Sequence, residues 1–139
     1  MGIYPPYSCK FEYDDYKGMS SVHSVSKSFG YALSGIRTAL KREPNFIIHL
    51  CIGILTMFAA AFLKFSIGEW LILLLIISFV LALELVNTAI EAVVDLVSPE
   101  IKDEAKIAKD TAAAAVFLSV ITAIIVGLAL FLPRFIFIR

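Results

Sequence analysis

Three long apolar runs, separated by short polar connections, dominate the chain. Residues 46–63 (FIIHLCIGILTMFAAAFL) form the first and 70–97 (WLILLLIISFVLALELVNTAIEAVVDLV) the second. The third covers 111–132 (TAAAAVFLSVITAIIVGLALFL) and is expected to stop at Pro133. Each is long enough to cross a hydrocarbon core of roughly 30 Å as a helix. KFSIGE, between the first two, is a hairpin-sized connection, and SPEIKDEAKIAKD, before the third, reads as a polar loop. Upstream, Phe29, Leu33, Ile36 and Leu40 recur at spacings of four, three and four, with Lys27, Arg37 and Lys41 elsewhere. That periodicity predicts an amphipathic helix over about 24–42, lying in the membrane interface or packed on the bundle. Pro5, Pro6, Gly18 and a serine cluster interrupt every period in the head of the chain. Residues 1–22 therefore read as a flexible polar N-terminal extension; with no apolar segment before a small-residue site, a secretory signal is not expected there. The expected architecture is an all-α membrane protein, with an N-terminal amphipathic surface helix and three transmembrane helices forming one domain over 23–139.

Composition strengthens this picture. Hydrophobic residues make up 60% of 139 positions, above the roughly 45–50% of soluble chains. The formal net charge is zero, so nothing in the total points to nucleic acid or to a strongly acidic partner. Cys9 and Cys51, one in the polar head and one in an apolar run, supply neither a disulfide framework nor a metal spacing. Basic residues are unevenly placed. Nine (Lys10, Lys17, Lys27, Arg37, Lys41, Arg42, Lys102, Lys106, Lys109) lie before the first span or in the second connection. Three (Lys64, Arg134, Arg139) lie in the first connection or the tail. Lys and Arg favour the cytoplasmic side, which puts the N-terminus there.

The second run also carries Glu84, Asn87, Glu91 and Asp95. At 100° per residue these four fall within an arc of about 80°, a stripe roughly 16 Å long on an otherwise Leu, Ile, Val and Ala helix. Charges near the membrane core cost at least a few kcal/mol each. The stripe could be a solvated helix end or a set of partners for lysines on a neighbouring helix, which suits Asp95. It suits Glu84 poorly, since that residue falls in the inner half of the bilayer between Leu83 and Leu85. Depth and alignment together favour a chemical role.

Mg²⁺ is commonly held by one or two protein carboxylates plus nucleotide phosphate oxygens. A separate, partly desolvated carboxylate can serve as a general base. Glu91 and Asp95 near the interface suit the ion and a nucleotide, while Glu84 suits a lipid hydroxyl that must lose a proton. Lys106, Lys109 and Asp110 add phosphate-binding capacity on the same side. The assembly points to phosphoryl transfer from a water-soluble donor to a membrane-embedded alcohol. A proton-coupled transporter would also use buried carboxylates, and a membrane scaffold would tolerate loss of Glu84. Gly30 and Gly35 have P-loop spacing, but Ile36 and Arg37 follow where Lys and Ser/Thr are needed. Glu43, just before Pro44 and Asn45, can face Glu91 across a helix interface; alone it would read as an exposed charge at a helix junction.

ELVNTAIEAVVDLV at 84–97, followed by AKIAKDTAAAAV at 105–116, resembles the signature of the prokaryotic diacylglycerol kinase family. FGYALSGIRTALKREPNF at 29–46 continues the resemblance, which covers about residues 24–135. It implies a homotrimeric kinase of the bacterial plasma membrane that uses MgATP and shares active sites between subunits. Carried onto this chain, it implies Glu84 as the base for the lipid hydroxyl and Asn87 as an orienting group beside it. Glu43 and Glu91 would hold Mg²⁺ and, through it, ATP. Lys109 and Asp110, with Asp95 and the Glu100–Lys102 segment, would line the nucleotide pocket, and Tyr31 would lie near the nucleotide. The family's Gram-negative members have an arginine where this chain has Ser24, with Lys27 the nearest base. REPNFIIHL, around Asn45 and His49, resembles the Gram-positive branch, which implies undecaprenol as acceptor, with diacylglycerol as the rival and Asn45 beside the lipid. His49 is expected to be an interfacial helix residue with no catalytic part.

Overall fold

Helix boundaries along this chain are set by proline, a capping box and an acidic first turn. The computed structural model describes residues 25–98 and 102–137, in two compact units that divide at residues 33 and 34. Four helices follow in order: α1 Val25–Arg42, α2 Pro44–Phe62, α3 Ile67–Val97 and α4 Asp103–Phe137. There is no strand among the described residues. Three of the helices, α2 to α4, are long and apolar enough to cross a membrane.

Pro44 separates α1 from α2. A residue before proline is pushed out of the helical region, and Glu43 is extended (φ −111°, ψ 101°). Proline itself suits the first turn of a helix, where its missing N–H costs nothing. At the other end of α2, Lys64 takes up a left-handed conformation (φ 53°). The N–H groups of Leu63, Lys64 and Phe65 return to the carbonyls of Ala59, Ala61 and Ala60.

α3 starts earlier than the apolar run suggests, at Ile67 instead of 70, because Ser66 and Glu69 form a capping box. The Ser66 hydroxyl accepts from the Glu69 N–H at 3.4 Å, and the Ser66 N–H donates to Glu69 Oε2 at 2.7 Å. α4 also starts early. Residues 103–110, expected as loop, are its first turns, where Asp103 and Glu104 complement the positive helix end. Nor does Pro133 end α4, which continues to Phe137. An interior proline removes one backbone bond, and the next residue, Arg134, anchors this stretch to the α2–α3 turn.

α3 is the central element and packs against both α2 and α4. Its 31 residues span roughly 46 Å, longer than a hydrocarbon core. Ala60, Phe65 and Leu73 form a buried cluster near the turn, joined by Trp70, Ile77, Leu130 and Phe131. Further along, α2 and α3 approach closely at Gly53, where an added Cβ would lie 3.0 Å from Ile77 Cγ2. Leu55, Phe58 and Leu75 point outward, 70–74% exposed, as lipid-facing residues should.

Candidate active site

The acidic stripe on α3 runs from deep burial to open exposure. Glu84 is 3% exposed and Asn87 8%, Glu91 is half-buried and Asp95 is exposed. Each has a particular partner. His49 Nε2, on α2, lies 3.1 Å from Glu84 Oε1. One turn on, Asn87 Nδ2 donates to Glu91 Oε1 at 2.8 Å, and Asn87 Oδ1 is buried without a hydrogen-bond partner. At the open end, Lys109 of α4 donates to Asp95 Oδ1 at 2.6 Å. Glu43 and Glu91 lie within coulombic reach of Glu84, as Glu91 does of Lys109.

The arrangement is three separate pairs along one helix face: His49 with the buried Glu84, Asn87 with the half-buried Glu91, and Lys109 with the exposed Asp95. A buried amide oxygen that lacks a partner carries a desolvation cost of about 1–3 kcal/mol. Such an atom is free to take a ligand. On its other side, His49 lines an apolar cavity of about 580 Å³ between α2, α3 and α4, with Gly53, Thr56, Leu73 and Phe131 among its walls. Hydrocarbon and carboxylate thus meet at the imidazole.

The comparisons with known proteins agree with this chemistry. The model of the prokaryotic diacylglycerol kinase family matches residues 30–131. The chain belongs to that family. It is a lipid kinase, and this membership sets aside the transporter and scaffold readings of the acidic face. It is 40% identical over 108 residues to an undecaprenol kinase of Bacillus subtilis, covering 78% of this chain and 88% of that protein. A diacylglycerol kinase of Synechocystis is 45% identical over 107 residues, covering 76% of this chain and 61% of that longer protein. A diacylglycerol kinase of Pseudomonas aeruginosa is 35% identical over 109 residues, covering 77% and 89% respectively.

The structure spaces Glu84, Asn87, Glu91 and Asp95 along α3, with His49 of α2 reaching Glu84 and Lys109 of α4 reaching Asp95. Glu43 is half-buried and Asn45 exposed at the start of α2, while Lys102, Lys106 and Asp110 are exposed at the start of α4. Tyr31 is exposed and belongs to the first compact unit. Glu100 and Ser24 lie outside the described residues. No group of three His, Cys, Asp or Glu side chains forms a metal cluster among the described residues. Mg²⁺ is commonly held by one or two protein carboxylates completed by phosphate oxygens, and Glu43 and Glu91 are half-buried carboxylates that both lie near enough to Glu84 to act on its charge.

Two contacts were hidden in the sequence. His49, expected to be a bystander, touches the most buried acid. Its signal was positional, because His49 lies 13 residues before the end of α2 and Glu84 17 residues after the start of α3, about one helical turn out of register across the hairpin. Arg134, read only as a tail charge, donates to Leu63 O at 2.6 Å and to Glu69 Oε2 at 2.6 Å.

Proposed function

We propose that this chain transfers the γ-phosphoryl group of MgATP to the hydroxyl of a membrane lipid alcohol, with undecaprenol preferred. The observation that carries the proposal is Glu84, a buried carboxylate on a helix long enough to cross a membrane. It heads a polar line that leads out to Lys109. The apolar cavity that begins at His49 supports an acceptor whose hydroxyl is carried on a hydrocarbon chain.

In this mechanism one Glu84 oxygen takes the proton of the lipid hydroxyl. The lipid oxygen bonds to the γ-phosphorus, the bond to the bridging β,γ-oxygen breaks, and ADP leaves. General base catalysis of this kind is worth about 10²–10⁴-fold. Glu43 and Glu91 would hold Mg²⁺, which would neutralise charge on the phosphates. Asn87 holds Glu91 and offers Oδ1 to the same site. Lys109 supplies positive charge to the phosphates, with Asp95 setting its direction. Lys102 and Asp110 complete the nucleotide pocket and Asn45 lies beside the lipid, while roles for Glu100 and Tyr31 toward the nucleotide rest on the family resemblance alone. The active site and N-terminus face the cytoplasm, where ATP is found, in keeping with the nine basic residues on that side. The enzyme works in the bacterial plasma membrane as a homotrimer whose neighbouring subunits shield the acidic face. Residues 23–139 form the kinase domain and 1–22 an appended extension.

Diacylglycerol is the second reading of the acceptor, favoured by the Synechocystis relative at 45% identity. Purified protein in detergent, given Mg²⁺, γ-labelled ATP and either lipid alone, decides between them. Faster labelling of undecaprenol is expected, the reverse ratio would make diacylglycerol the acceptor, and label in neither lipid would remove the proposal.

A further inference from the structure

A general base must aim one oxygen at its substrate, and a glutamate carboxylate does not do so unaided. Its terminal torsion is broad and roughly two-fold, so the direction of the free oxygen depends on what holds the other. The nearby polar groups are engaged elsewhere. Asn87 Nδ2 is committed to Glu91, and Lys109 to Asp95. What reaches Glu84 is His49, with Nε2 at 3.1 Å from Oε1 and an imidazole that is itself 20% exposed. The contact is built into the helix pair. Gly53, one turn along α2 from His49, lets that helix close on Ile77 of α3, and this approach carries the imidazole to the carboxylate.

Resting on the reading of Glu84 as the base, we propose that His49 is its positioning residue. The imidazole Nε2–H donates to Glu84 Oε1 and holds the carboxylate so that Oε2 faces the lipid hydroxyl. The proton moves from the hydroxyl to Oε2 and later to water, while His49 keeps its own proton throughout. A donor is what the position requires, in place of a second base. His49 belongs to the stretch that the sequence marks as Gram-positive-like, and here it acquires a physical function.

The test uses the full chain in detergent with Mg²⁺, ATP and the lipid that it phosphorylates. His49→Leu removes the donor, and His49→Gln replaces it with an amide N–H of similar reach. Residues that orient a metal ligand cost about 10–100-fold when removed, and a loss of that size in kcat is expected for His49→Leu, with KM for ATP unchanged. His49→Gln should recover most of the rate. His49→Met serves as the donorless variant if His49→Leu does not fold. A full rate in the donorless variant, equal losses in both variants, or a raised KM for ATP would each overturn the proposal. Glu84→Gln is measured alongside. If that variant keeps its rate, the reading of Glu84 falls. If it is inactive while the donorless His49 variant is fully active, the role of His49 alone falls.

Discussion

α3 carries a polar cluster near each end, and the two are finished differently. Near the α2–α3 turn, Glu69 Oε2 accepts from the Ser66 N–H, the Ser66 hydroxyl and Arg134 Nη2, each within 2.7 Å. Arg134 spends its other nitrogen on the carbonyls of Leu63 and Lys64 and lies 5.1 Å over the Phe65 ring, which in turn packs 4.8 Å from Phe131. Donors and acceptors there answer one another. Toward the opposite end, Glu84 has one imidazole and Asn87 keeps a buried oxygen without a partner. A cluster whose hydrogen-bonding capacity is used up holds helices together. One with capacity left over can hold something else.

The sharpest way to break this contrast is Glu84→Gln. The change keeps shape and removes the basic oxygen, so turnover should fall by about 10²–10⁴-fold, with MgATP binding and thermal melting close to wild type. A variant with near-wild-type turnover in the lipid phosphorylation assay would make Glu84 a structural residue and erase the difference between the two clusters.

Gly53→Val is expected next in size, because it acts on the geometry of the open cluster without touching its chemistry. The Cβ site already stands 3.0 Å from Ile77 Cγ2, and overpacking of this kind costs about 1–3 kcal/mol. α2 must move away from α3, taking His49 off Glu84. Lower kcat and a lower melting temperature should appear together. A stability loss with kcat intact would show that the helix spacing does not govern the site.

Arg134→Leu addresses the closed cluster. Leu63 O, Lys64 O and Glu69 Oε2 all lose their guanidinium partner, so the melting temperature in detergent should drop by several degrees. Turnover at a temperature well below melting should stay within about two-fold of wild type, an expectation that follows from placing the chemistry toward the other end of α3. Large loss of kcat without loss of stability would mean that both ends serve catalysis.

These two ends were not equally legible in the sequence. The acidic stripe was readable because helical period alone aligns Glu84, Asn87, Glu91 and Asp95, and because Glu84 falls too far inside an apolar run to be a frayed end. The three spans were readable from length and apolarity. Arg134 and Glu69 are 65 residues apart, and their meeting depends on how α4 lies against the turn, which no local pattern encodes. His49 and Glu84 needed only the hairpin, so that pair was within reach once KFSIGE was recognised as a tight connection. The start of α4 was missed for another reason. Lys106, Lys109 and Asp110 are polar because the helix extends beyond the apolar core, and polarity there imitates a loop.

Ser66→Ala makes the smallest change and tests whether the closed cluster is layered. The hydroxyl accepts from the Glu69 N–H and donates to Glu69 Oε2, so alanine removes half of the capping box and leaves the Ser66 N–H bond to Glu69 in place. Loss of an N-cap side chain costs about 1 kcal/mol. Arg134 still reaches Glu69 and the two carbonyls, so the turn should hold and kcat should not move. A melting shift as large as that of Arg134→Leu would mean that the start of α3, and not the guanidinium, organises this end of the helix.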